Sequence, residues 1–276
     1  MENLTDAAPA LSPEQIEQLL ELAVRTARRA GAGAEARRRE GVDVAATKSN
    51  DLDIVTRADL AAEALIKETI LAQRPEDGFL GEETDAVLGT DGLTWLVDPI
   101  DGTVNYLYGD PGYAVSIAAC LGSVPVVGVV YSPGRDELWS AGRGGGAHLN
   151  GAPVRTRASV SPARPLLGTV FDYDAQVRTR QLQRLVDSAH VIRDVRSSGS
   201  TALDLCRVAA GRLDVFGTDS VHWWDVAAGV LIAREAGCRT WARQDPEDGR
   251  VHCLVSNPAV PDEVLDRLGY AVVSMS

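Results

Sequence analysis

No apolar run in the chain approaches the ~18 residues that a membrane-crossing helix needs, so a spanning segment is not expected. Positive charge is also in deficit: 27 Lys and Arg stand against 39 Asp and Glu, for a formal net charge of -12. That balance works against non-specific binding to nucleic acid or to acidic membranes. A phosphorylated substrate stays open, because a bound divalent cation inverts the local field. Cys120, Cys206, Cys238 and Cys253 form no C-x-x-C pair, and each lies among apolar neighbours. They read as buried free thiols of a reducing compartment, which makes the cytoplasm the expected location. His148, His190, His222 and His252 lack any H-x-x-x-H spacing, which leaves little ground for zinc chemistry. Residues 1–10 carry two acidic side chains and no basic one, against a secretory or transit leader, and read as a disordered lead-in.

What is present is an ordinary globular composition, 45% hydrophobic and 24% charged, in 276 residues without internal repeat or long linker. Ser12-Pro13-Glu14-Gln15 is a helix start, with Ser at the N-cap, Pro at N1 and Gln at N3. Ile16, Leu19, Leu20, Ala23, Val24 and Ala27 follow at helical spacing, and Gly31 to Gly33 is expected to end the helix. A second helix is expected over 56–71 with Leu60, Ala64 and Leu65 inward, then a short strand at Phe79-Leu80. Residues 94–97 form a buried strand that Asp98 closes, since Pro99 has no N–H for the ladder.

From Tyr113 the texture becomes an antiparallel meander, with strands at 114–121, 124–131, 137–141 and 146–149. The glycines from Gly142 to Gly146 read as a hairpin tip. From residue 166 strands alternate with helices: strands at 167–171, 194–197, 213–216 and 253–256, helices at 174–189, 200–210, 225–236 and 261–268. The expected fold class is α/β (α+β), a layered αβαβα arrangement in which a meander sheet precedes an α/β half. It would be one domain over 1–276, with halves at about 12–165 and 166–276.

Four acidic positions close regular elements: Glu82 after the 79–80 strand, Asp98 and Asp101 around the next strand end, and Asp225 at a helix start. Oxygen ligands beside the Gly102-Thr103 turn suit a hard cation such as Mg²⁺ bridging to a phosphate. Taken alone, Asp98-Pro99-Ile100-Asp101-Gly102-Thr103 fits a solvated tight turn equally well, and Asp225 fits a helix cap.

Three motifs in order decide between them: Gly81-Glu82-Glu83, Asp98-Pro99-Ile100-Asp101-Gly102-Thr103 and Trp224-Asp225-Val226-Ala227-Ala228-Gly229. Together with Lys48, Asp53, Ile54, Val55, Thr56 and Asp59, they resemble the signature of the inositol monophosphatase family, Mg²⁺-dependent and lithium-sensitive phosphatases. The resemblance spans residues 12–258. It implies that Glu82, Asp98 and the Ile100 carbonyl hold one Mg²⁺, that Asp98, Asp101 and Asp225 hold a second, and that a third lies near Glu82. Glu82 and Thr103 would activate the attacking water, with Asp59, Lys48 and Asp53 supporting from behind. Gly102 and Thr103 N–H groups would take the phosphate, beside Asp101.

Substrate contacts would fall at Ser200 and Thr201. The family's acidic polyol contact aligns with Thr218, and the nearest carboxylate is Asp219. The resemblance therefore implies hydrolysis of a small phosphorylated polyol such as inositol 1-phosphate, in a homodimer. Rival substrates are a 3′-phosphonucleotide, fructose 1,6-bisphosphate and histidinol phosphate; for a nucleotide, Trp223 and Arg196 are the side chains available to read base and second phosphate. A regulatory binding protein that keeps the fold is the reading from a different class.

Overall fold

The computed structural model describes residues 11–42, 44–47, 54–157 and 162–270. Lys48, Asp53 and the expected lead-in lie outside the described residues. The chain begins with helix α1 (Pro13–Glu40), a two-stranded antiparallel ribbon β1 (Val44–Thr47) and β2 (Ile54–Thr56), and helix α2 (Arg57–Leu71). A seven-stranded sheet follows in chain order: β3 (Gly78–Gly81), β4 (Leu93–Asp101), β5 (Ala114–Leu121), β6 (Val124–Ser132), β7 (Glu137–Gly142), β8 (Ala147–Leu149) and β9 (Ala152–Val154). Only β3–β4 is parallel; the other pairs form the expected meander. The short helix α3 (Thr103–Leu107) leaves the end of β4.

The second half supplies β10 (Leu166–Gly168), α4 (Ala175–Ser188), β11 (Asp194–Arg196), α5 (Thr201–Ala209), β12 (Val215–Val221), α6 (Trp223–Glu235), β13 (Arg239–Gln244), β14 (Val251–Ser256) and α7 (Asp262–Arg267). Its five strands lie in the order β11-β10-β12-β14-β13, parallel around β10 and antiparallel around β14.

Strand alternation explains the layering, because successive side chains of a strand point to opposite faces. On β4 and β5, Trp95, Val97, Val115, Ile117 and Ala119 join α1 and α2 in one core. Leu96, Ala114, Ala118 and Cys120 face the other way, into a core built with α5 and α6. Those two helices lie between the sheets, and α7 covers the far face of the second sheet through Leu265 and Leu268. The result is the mixed α/β, layered architecture that the sequence pattern implied. All four cysteines are buried and free, and no helix among the described residues is long and apolar enough to cross a membrane.

Several local expectations are corrected. Helix α1 does not stop at Gly31–Gly33 but continues to Glu40 and caps at Gly41, whose φ is 121°. A Cβ on Gly31 would sit 2.7 Å from Tyr131, so this glycine serves close helix–sheet approach rather than termination. Strand β4 passes through Pro99: the register steps from Asp98↔Ser116 to Asp101↔Ala114, leaving one extra residue on β4. Proline is tolerated at such a bulge because no ladder donor is needed there.

On α2, Leu60 is 41% exposed and Ala64 is exposed, while Asp59 and Glu63 are buried with Ala62, Ile66 and Ile70. The helix is rotated so that two carboxylates, not two alkyl groups, face inward. Helix α6 begins two residues early, with His222 as N-cap and Asp225 at N3. Strand β13 was absent from the expected elements; four of its six residues are polar, and it lies at the sheet edge with its first four residues half-buried.

Candidate metal centre

The β3–β4 pairing builds the first part of the site. Gly81 lies opposite Val97 in the parallel register, and the Glu82 N–H donates to the Val97 carbonyl at 3.2 Å. The next residues on the two strands, Glu82 and Asp98, are thereby delivered to the same strand ends. Asp225 arrives from the first turn of α6, where its Oδ2 accepts the His222 N–H at 2.6 Å. One carboxylate oxygen from each of Glu82, Asp98 and Asp225 lies within 4.8 Å of the others. Three hard oxygen donors at that spacing can hold a divalent cation.

Electrostatics argue for the same use. Burial drives the Asp98 and Asp225 carboxyls well above the usual carboxylate range, and the charges of Glu82 and Asp101 push both further. Asp101 is 7% exposed, and burial raises it to about 7 although it is densely hydrogen-bonded. Its oxygens accept from Ser200 Oγ (2.6 Å), the Ala202 N–H (2.7 Å) and the Thr201 N–H (3.2 Å), so Asp101 faces the N-terminus of α5. Packing several anions together in a poorly hydrated site is costly unless a cation balances them.

A pH effect follows with a definite sign. Asp101 and Asp59 have folded-state values of about 7 and about 6, against an ordinary 3.8. Their stabilising contribution is complete below about 3.8 and is lost as pH rises through the folded values. Chelator-treated protein should therefore gain most from added Mg²⁺ at the alkaline end. The Mg²⁺-induced rise in Tm, measured by scanning calorimetry, should grow from pH 5 to pH 8. A flat difference would show that these carboxylates do not meet the ion.

Beside the trio, Thr103 Oγ1 lies 3.1 Å from the Ile100 carbonyl and 3.3 Å from Asp59 Oδ1. Asp59 is itself buried and also accepts from the Thr56 N–H at 2.9 Å and from the Thr56 hydroxyl. Gly102 adopts φ 98°, and a Cβ there would meet the Gly199 carbonyl at 3.0 Å, so only glycine makes this turn without strain. Glu63, which sequence reasoning missed, is fully buried and accepts the Glu83 N–H at 2.8 Å, fastening the turn that carries Glu82. The spacing 59, 63, 66, 70 on α2 was the available signal: two acids continue the stripe of Ile66 and Ile70.

Glu82, Asp98, Asp101, Gly102, Thr103 and Asp225 line a cavity of about 540 Å³, whose other walls come from residues 170–173, 220–222 and Arg250. Thr201 lines it, whereas Ser200, fully buried, is turned to Asp101. Thr218 and Asp219 are not among the lining residues. The β12–β14 register shifts between Thr218 and Val221, and this bulge sends Asp219 toward α4, where it pairs with Arg184 and accepts from Gln181 Nε2 at 2.9 Å. Thr218 is 1% exposed. Trp223 packs on the core between the sheets, and Arg196 binds Asp194 at 2.6 Å. Neither lines the cavity, so the side chains suggested for reading a nucleotide are not placed to do so. Trp224 does line it, stacked on His222 at 4.5 Å.

Comparison with known proteins agrees with this geometry. The model of the inositol monophosphatase family matches residues 15–268. Inositol-1-monophosphatase SuhB of Mycobacterium tuberculosis is 41% identical over 240 residues, covering 83% of this chain and 82% of the relative. A protein of Vibrio cholerae named Nus factor SuhB is 37% identical over 221 residues, covering 79% and 83%. Among solved structures, the extragenic suppressor protein suhB from Bartonella henselae superposes with a TM-score of 0.82 at 32% identity, over 92% of this chain and all of that one.

Proposed function

The chain belongs to the inositol monophosphatase family, and on that premise we propose that it is a Mg²⁺-dependent phosphomonoesterase acting on inositol 1-phosphate or a closely related phosphorylated polyol. The observation that carries this reading is the convergence of Glu82, Asp98 and Asp225 beside the Thr103–Asp59 hydrogen bond. The donor set is all oxygen, with Asp98 buried and Glu82 and Asp225 partly buried, which fits a hard divalent ion and not a thiophilic one.

Glu82, Asp98 and the Ile100 carbonyl would hold one Mg²⁺, Asp98, Asp101 and Asp225 a second, and the neighbourhood of Glu82 a third. Divalent ions bound there supply Lewis acidity to the phosphoryl oxygens and lower the pKa of water. The protein's own part is orientation and proton transfer. Thr103 Oγ1 takes the proton of the attacking water as it passes its own to Asp59, whose folded-state pKa of about 6 suits an acceptor near neutral pH. Glu82 faces the same water. The N–H groups of Gly102 and Thr103 take phosphate oxygens, and Ser200 and the α5 N–H groups hold the Asp101 carboxylate in a fixed orientation beside the cavity. The homodimer and a single domain made of two halves complete the proposed reading.

A panel of inositol 1-phosphate, fructose 1,6-bisphosphate, 3′-phosphoadenosine 5′-phosphate and histidinol phosphate, with Mg²⁺ or with chelator, tests it. Inositol 1-phosphate should give the highest kcat/KM, and chelator should abolish phosphate release. A higher kcat/KM for any other member, or activity that survives chelation, would overturn the assignment. The relative named as a Nus factor keeps a regulatory reading in view. The intact carboxylate set favours hydrolysis over a scaffold that has lost its chemistry.

A further inference from the structure

Arg250 is the one Lys or Arg among the described residues that line the catalytic cavity, and every other charged group there is a carboxylate. Its guanidinium sits on the wall that carries Ser220 and Asp172. Its Nη1 donates to the Ser220 carbonyl at 2.9 Å, and its Nη2 lies 4.0 Å from Asp172 Oδ2. The second distance is too long for a hydrogen bond, so the two groups stand side by side without saturating each other. Asp172 is held in place: its Oδ1 accepts the Asp174 N–H at 2.7 Å, and its side chain is 9% exposed.

One buried side chain ties both walls together. Gln181 accepts the Asp172 N–H through Oε1 at 2.9 Å and donates through Nε2 to Ser220 Oγ at 2.9 Å. The segment bearing Asp172 and the segment bearing Arg250's anchor are thus fixed relative to each other before any ligand arrives, which lowers the cost of binding.

We propose that the Arg250–Asp172 pair is the leaving-group subsite, binding adjacent hydroxyls of the polyol and so setting the specificity of the proposed phosphatase. A hydroxyl both donates and accepts, so neighbouring hydroxyls match a guanidinium donor set placed beside a carboxylate acceptor. A second phosphate on the substrate matches only half of the pair and is repelled by Asp172. The pair also answers a gap in this chain, where the family's acidic polyol contact is replaced by the buried Thr218.

The proposal rests on the phosphatase reading, and the experiment separates the two. Arg250→Gln and Asp172→Asn are compared with the wild type on inositol 1-phosphate, on fructose 1,6-bisphosphate, and on p-nitrophenyl phosphate, whose leaving group has no adjacent hydroxyls. Each variant should raise KM for inositol 1-phosphate about tenfold to a hundredfold, with kcat moving far less. The ratio of kcat/KM for inositol 1-phosphate to that for p-nitrophenyl phosphate should fall at least about tenfold. In the double variant the losses should be less than multiplicative, because both groups hold one diol.

Equal losses on all substrates, an unchanged KM, or a larger loss on the bisphosphate in Arg250→Gln would overturn the subsite. Wild-type protein that hydrolyses p-nitrophenyl phosphate but not inositol 1-phosphate would remove the polyol and the subsite with it. Absence of hydrolysis on every substrate would bring down the phosphatase reading, and this inference too.

Discussion

Asp98→Asn is expected to lower kcat by about a thousandfold or more while raising the Tm of chelator-treated protein at pH 8. Asp98 is 3% exposed, and its carboxyl is driven upward by burial and by Glu82, Asp101 and Asp225. Replacing it with a neutral amide removes the most crowded of these charges. The substitution keeps an oxygen acceptor for the Ile100 N–H, which donates to Asp98 Oδ1 at 2.9 Å, so the bulged end of β4 need not rearrange. What is lost is an anionic ligand shared between two proposed ion sites. Activity falls and metal-free stability rises together because the same charge repulsion underlies both. Steady-state kinetics and calorimetry on one preparation measure the pair of effects. Near-normal Mg²⁺-dependent turnover in this variant would remove Asp98 from the ligand set.

Thr103→Val should lower kcat about a hundredfold or more with KM changed only a few-fold, and Thr103→Ser should keep activity within about tenfold of the wild type. Valine preserves shape and deletes the hydroxyl that links Asp59 Oδ1 to the Ile100 carbonyl. The α2 start is insulated from the change, since Thr56 caps it independently with Asp59 in a capping box. The serine variant is the informative control. If it is as impaired as valine, the methyl group's packing matters and the proton path does not. If valine is harmless, the hydroxyl only shapes the turn.

Where chemistry coincided with a regular local pattern, the chain was legible. Ser12-Pro13 starts α1, the meander from Ala114 to Leu149 is written in alternation and turns, Glu82 follows the end of β3, and Asp225 lies in the first turn of α6. Long-range register was not legible. Nothing near Gly81 states that β3 pairs parallel with β4, yet that register alone puts Glu82 beside Asp98.

Bulges were the second source of error. One lets β4 run through Pro99, and another rotates Asp219 away from the cavity where simple alternation left it available. Gly31 misled because a glycine required for close contact with Tyr131 is spelled the same way as a helix stop. Helix α2 misled in the opposite sense: Leu60 and Ala64 were expected inward, whereas they are exposed and the carboxylates of Asp59 and Glu63 are buried. Arg250 was invisible because its partners Ser220 and Asp172 come from other elements, brought together only by the second sheet and α4.

The central claim is that Glu82, Asp98 and Asp225 form a divalent-metal centre, and anomalous diffraction from crystals grown with Mn²⁺ in place of Mg²⁺ tests it most directly. The account predicts an anomalous peak within about 2.0–2.4 Å of one carboxylate oxygen from each of these three residues, with the Asp98→Asn crystal losing it. Peaks only elsewhere, or none at the trio in protein that remains active with Mn²⁺, would contradict it.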